Sequence, residues 1–192
     1  MSSFSIVNRK IDPTRRANAF KPDGSVDDND RVEIGPTDIA FAEWAALGLT
    51  VPNLEQMRKR RLDRIVQQLR ERDYAGVLCF DPVNIRYATD SSNMQIWIMH
   101  NPGRAAFISA DGYVVLWDFH RCGHLSNHLP LINETREGGA GFFYFVAGDE
   151  EEAAARQFAG QIDELLRRFG GKNRRLAVDR IEIPGLRALE AL

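Results

Sequence analysis

Apolar positions along the chain follow two spacings, and these predict most of its elements before any chemistry is considered. Leu54, Met57, Leu62, Ile65, Val66 and Leu69 recur at helical intervals between Asn53 and Asp73, which predicts a helix with one buried stripe. Asn53 stands where an N-cap belongs, with Gln56 three residues on, as a capping box requires. A second long helix is predicted from Asp149, with Glu152 completing its box. Its apolar face is Ala155, Phe158, Ile162, Leu165, Leu166 and Phe169, and Gly170 ends it. A shorter helix from Pro36 to Leu47 has proline in its first turn, Gly48 just past its end, and Ile39, Trp44 and Leu47 on its apolar side.

The other spacing is the short continuous apolar run. Ala75–Phe80 is too brief for a helix and reads as a strand buried on both faces. Asp81-Pro82 stops it, because proline has no N–H to give a sheet ladder and turns the preceding residue away from helix. Asn84-Ile85-Arg86-Tyr87 then reads as a helical turn. Ala105–Ile108 and Val114–Trp117 flank Asp111-Gly112, a strong hairpin signal, and both runs are apolar enough to lie inside a covered sheet. Gln95–Met99 reads as a short strand, Phe142–Val146 as an aromatic strand and Arg175–Asp179 as a final one. Leu186–Leu192 begins a helix with no C-cap, as expected of a cut chain. Residues 1–34 keep no period and read as an extended arm. The expected organisation is an arm with one short helix over 1–52 and a folded domain over 53–192.

Composition narrows the function classes. With 44% hydrophobic and 27% charged residues the chain can bury a core, and a net charge of −2 gives no attraction for nucleic acid or an anionic membrane. No run of about 18 apolar residues occurs, and the first residues lack the apolar core of a signal peptide. Two cysteines, Cys79 and Cys122, make no disulfide framework. A cytoplasmic protein is the expectation.

Candidate chemistry is sparse. His120, His124 and His128 are spaced four apart, which on a helix would share a face and suit a transition metal. Gly123 weakens that helix and no second ligand pair follows, so no metal is expected there. Asp27, Asp28 and Asp30 lack the glycine and closing glutamate of a calcium loop. Gly138–Gly141 precedes a strand without a following lysine, so it is not a phosphate loop. Arg58-Lys59-Arg60-Arg61 is expected on the solvated face of its helix.

The run Asp-Pro-Val-Asn-Ile-Arg-Tyr over 81–87, set between a strand and a hairpin, resembles the N-terminal domain of the creatinase, aminopeptidase P and prolidase family. That resemblance implies an α/β fold, a mixed sheet flanked by helices in a ribonuclease H-like arrangement. It also implies that the chemistry lies in a separate C-terminal metal-binding domain. Longer strings (NDRVEIGPT, VPNLEQMR, FDPVNIRYATDSSNMQ) are similar to the prolidase-like dimethylsulfoniopropionate lyases. Such an enzyme is a homodimer that splits its small-molecule substrate into dimethyl sulfide and acrylate. A base removes the proton beside the carboxylate, and two metal ions of the C-terminal domain hold that carboxylate. No catalytic or metal residue is expected in this chain.

The resemblance singles out one residue. Trp97 lies in the stretch after Tyr87-Ala88-Thr89 that in prolidase-like dimers approaches the partner's pocket. A sulfonium cation is attracted to an indole face by about 0.5–2 kcal/mol, so Trp97 is the expected substrate contact. Core or dimer packing of Trp97, which Ile96 and Ile98 flank, is the competing reading. Two other readings stay open for the whole chain: part of an Xaa-Pro peptidase, or a stand-alone binding module.

Overall fold

The two runs flanking Asp111-Gly112 form the centre of the sheet. In the computed structural model, which describes residues 38–92, 99–118, 122–136 and 144–192, all described residues fall in one unit, Val32–Leu192. Strand β1 (Gly76–Cys79) is followed by β2 (Ala105–Ser109), β3 (Val114–Trp117), β4 (Glu134–Arg136) and β5 (Leu176–Val178). They lie in the order β4-β3-β2-β1-β5. The β1–β2 and β2–β3 pairs are antiparallel; β1–β5 and β3–β4 are parallel. This is the mixed α/β sheet expected from the resemblance. At the turn Gly112 takes φ +87°, and Ser109 Oγ accepts from the N–H groups of Asp111 and Tyr113.

Every residue of β2 and β3 is buried, so the sheet needs cover on both faces, and its alternation assigns each side chain to one of them. Leu78, Ala105, Phe107, Val115 and Trp117 face Phe158, Ile162 and Leu165 of helix α4 (Glu151–Leu165), with Leu189 of α5 (Ile183–Glu190) packed at the margin. Cys79, Ala106, Ile108, Val114 and Leu116 face Leu62, Val66 and Leu69 of α2 (Leu54–Glu71) and Ile85 and Ala88 of α3 (Pro82–Thr89). Each fully buried large side chain contributes about 1.5–3 kcal/mol.

Several elements differ from the sequence reading. The stripe on α2 is narrower, since Leu54 at its start is 39% exposed, although Asn53 Oδ1 does accept from Gln56 N at 2.9 Å. Residues 41–46 of helix α1 (Asp38–Ala46) bury little, and Leu47 just beyond it is 74% exposed. Tyr144–Glu150 forms 3-10 turns rather than a strand, broken at Gly148 with φ 56° and ψ −124°. That break moves the start of α4 past Asp149, and Glu150 occupies the N-cap with no side-chain capping bond. The place beside β3 is taken by β4, three residues too polar to announce a strand. Phe142, Phe143 and residues 95–98 of the expected Gln95–Met99 strand lie outside the described residues, as does the arm over 1–34.

Gly76 shows how tightly the sheet is packed. A Cβ there would stand 2.7 Å from two ring atoms of Phe107 and 2.8 Å from the Ile108 carbonyl. Gly76→Ala should destabilise the protein by about 1–3 kcal/mol in urea unfolding. Gly160→Ala, within α4 and with open space around it, should stabilise by about 0.5–1 kcal/mol. Equal effects would show that packing at Gly76 is not the constraint.

Candidate functional site

The Asp-Pro-Val-Asn-Ile-Arg-Tyr run builds the corner at one end of the sheet. Asp81 caps α3, its Oδ1 accepting from Val83 N at 2.8 Å and Asn84 N at 3.2 Å, and Pro82 fills the first turn, where no N–H is needed. Ile85 is fully buried. Asp179, just past β5, ties the corner to the neighbouring strand. Its carboxylate accepts from Phe80 N at 2.8 Å, Asp81 N at 3.0 Å, Asn84 Nδ2 at 3.0 Å and Arg180 N at 2.6 Å. Four N–H donors are as many as a carboxylate readily takes. The residues that carry the family resemblance therefore hold the fold together at this corner. Nearby, burial and then the Asp179 and Asp81 charges push the Cys79 thiol up to about 12. The thiolate that would react is suppressed at neutral pH.

Helix α3 ends at Asp90, in the left-handed region at φ 62°. Its carboxylate takes Arg58 Nε at 2.7 Å and lies 3.6 Å from Arg61 Nη1. The basic run of α2 is thus not wholly solvated: Arg58 and Arg61 turn inward to this acid, and Arg61 also lies over the Tyr87 ring at 5.5 Å.

Beyond Asp90 is a buried polar cluster. Arg104 precedes β2 and Asp118 follows β3, and both side chains are buried, at 0% and 1% exposure. The register that pairs Ala105 with Trp117 sets them opposite each other. Arg104 Nη2 donates to Asp118 Oδ2 at 3.1 Å and to Ser91 Oγ. Arg104 Nε lies 2.9 Å from Asp118 Oδ1, a charge contact off the line of its N–H, and Nη1 has no acceptor among the described residues. Ser91 Oγ and Ser126 Oγ share a hydrogen bond at 2.7 Å, and Ser91 N donates to Thr89 Oγ1 at 3.0 Å. The cluster joins the end of α3, the hairpin ends and the turn Cys122–Ser126. Among the described residues it pairs no nucleophile with a base.

Ser91 and Arg104 lie on either side in sequence of the residue expected to meet substrate, but Trp97 itself is outside the described residues, as is His120. His124 stands in the 3-10 turn and His128 just after it, both exposed, so the helical face that their spacing required does not form. Among the described residues no group of three or more His, Cys, Asp or Glu side chains is placed to hold a metal ion. They do not fit a two-metal centre. No described helix is long and apolar enough to cross a membrane. The Arg104–Asp118 pair escaped the sequence reading, yet a signal existed. A hairpin centred on Asp111-Gly112 that pairs residues 105 and 117 also pairs a charged residue at each end of two apolar runs.

These observations define a mixed-sheet α/β domain. No family model matches the chain. Over 191 of its 192 residues it is 52% identical to the dimethylsulfoniopropionate lyase DddP of Roseovarius nubinhibens. To the protein of the same name from Roseobacter denitrificans it is 51% identical over 185 residues. The chain is homologous to the N-terminal part of these lyases and spans 42% and 41% of their lengths. A solved Xaa-Pro aminopeptidase from Streptococcus pyogenes aligns with a TM-score of 0.48 at 17% identity, covering 71% of this chain and 85% of that one.

Asp118→Ala should leave the Arg104 charge buried without its partner and cost about 3–5 kcal/mol in urea unfolding. Replacing both, Arg104→Met with Asp118→Leu, should cost much less. If the double variant is as unstable as the single one, the pair is not an isolated charge balance.

Proposed function

We propose that this chain is the non-catalytic N-terminal part of a metal-dependent lyase that splits dimethylsulfoniopropionate into dimethyl sulfide and acrylate. The observation that carries this reading is 52% identity to such a lyase along the whole chain, which spans 42% of that protein. The absence of a metal-ligand group among the described residues is consistent with ligands supplied by the remaining part. In this reading the chain serves its own C-terminal catalytic domain and a second copy, contributing dimer contacts and one wall of the pocket. The reaction removes a proton from the carbon beside the carboxylate, forms the carbon-carbon double bond of acrylate and expels the sulfide with the electrons of its carbon-sulfur bond.

The direct test joins residues 1–192 to the C-terminal remainder of the Roseovarius nubinhibens lyase and follows dimethyl sulfide in the headspace. The chimera should release it from dimethylsulfoniopropionate and should leave Xaa-Pro dipeptides intact. A chimera that is folded and metal-loaded but cleaves only the dipeptides would overturn the assignment.

Trp97 is proposed as the residue that presents an indole face to the sulfonium in the partner's pocket. Trp97→Ala in the chimera should raise KM and lower kcat/KM by about 2- to 30-fold, the range expected of a cation–π contact, while Trp97→Phe recovers part of the loss. A variant that loses thermal stability yet keeps turnover per folded enzyme would make Trp97 a packing residue instead.

A further inference from the structure

The buried polar cluster at the open end of the hairpin joins the two ends of one stretch of chain. Residues 92–103 connect Ser91 to Arg104, and Arg104 Nη2 donates to Ser91 Oγ. Both ends are buried, Ser91 at 2% exposure and Arg104 at 1%, with Pro102 and Gly103 buried beside the arginine. In sequence Trp97 is the middle of that stretch, six positions after Ser91 and seven before Arg104.

Ser91 is held from several directions. The chain turns off the end of α3 at Asp90, in the left-handed region at φ 62°, a conformation that needs support at any residue but glycine. That support comes from Arg58, 2.7 Å from the Asp90 carboxylate. Thr89 Oγ1 donates to Ile85 O at 2.7 Å and accepts from Ser91 N at 3.0 Å. Ser91 Oγ shares a hydrogen bond with Ser126 Oγ at 2.7 Å as well as accepting from Arg104, which uses most of what one hydroxyl offers. Arg104 is fixed in turn by Asp118. Nearer the arginine, Arg180 donates to Met99 O at 3.0 Å. Stability alone does not call for such an arrangement, since a buried ion pair often contributes no more than apolar residues of the same volume. Its gain is a fixed register, here the register of two chain ends with Trp97 midway between them.

We propose that Ser91 and Arg104 are positioning residues for Trp97: the buried bond between them fixes the ends of the stretch that presents the indole. The consequence for turnover rests on the reading that Trp97 meets the sulfonium. Contacts between a pocket and its substrate are steep in distance, so releasing either end costs substrate binding although neither residue touches the substrate.

The test uses the chimera with the Roseovarius nubinhibens C-terminal remainder, carrying Ser91→Ala, Trp97→Ala or both. Ser91→Ala should raise KM for dimethylsulfoniopropionate and lower kcat/KM by about 2- to 10-fold. In the Trp97→Ala background it should change kcat/KM by less than about 2-fold, because its effect passes through the indole. A role in stability alone would give losses that multiply. Arg104→Met with Asp118→Leu removes the donor to Ser91 without stranding a charge, and should act as Ser91→Ala does. A second measurement needs no substrate. Acrylamide quenching of Trp97, taken as the difference between each protein and its Trp97→Phe form, should rise with Ser91→Ala. Quenching that does not rise, or losses in kcat/KM that multiply, would overturn the proposal. If quenching rises while Trp97→Ala leaves turnover intact, or the chimera releases no dimethyl sulfide, the positioning stands and the substrate reading falls.

Discussion

The structure depends on a hairpin that has no solvent-facing side. All nine residues of β2 and β3 are buried, so neither strand can stand at an edge or face water. Strands must flank them and helices must cover both faces. Given that constraint, the alternating assignment of Phe107 and Trp117 to the α4 side, and of Ile108 and Leu116 to the α2 side, follows from the pleat. The same burial reaches the charged residues at the hairpin's open end. Arg104 and Asp118 are carried inside by their neighbours and must balance each other there, since a lone buried charge costs several kcal/mol.

That corner changes what the family resemblance means physically. Asp81 caps a helix, Asn84 donates to Asp179, Ile85 fills the core, and Asp179 gathers N–H groups from Phe80 and Asp81 after β1, from Asn84 of α3 and from its own neighbour Arg180. A run of residues can thus mark a chain as homologous to the N-terminal part of a lyase while doing structural work. The cluster of Ser91, Ser126, Arg104 and Asp118 has the same character, joining three separate segments at one end of the sheet.

What was legible follows from what is local. The capped start of α2, the Asp-Pro stop, the Asp-Gly hairpin and the apolar face of α4 each depend on residues a few positions apart. Strand β4 was not legible, because Glu134-Thr135-Arg136 has no strand-like pattern of its own. It is a strand only because β3 offers a ladder, and its two ends are held by charge. Arg136 reaches Glu134 at 2.5 Å and Glu164 of α4 at 2.6 Å. The aromatic run failed in the opposite direction: Tyr144–Val146 has strand propensity but enters 3-10 turns that lead into α4. Propensity loses where no neighbour offers a ladder.

By itself the sequence determined the two long helices, the central hairpin with its two-sided burial and the kinship with the N-terminal part of a lyase. Each of these is written in spacing or in strings of adjacent residues. The tertiary structure alone decided the strand order, the parallel pairing of β5 with β1 and the gathering of Asp179 with Asn84, 95 positions apart. Residues far apart in the chain meet only after the loops between them have closed, and no local pattern records which of the possible closures buries the most apolar surface.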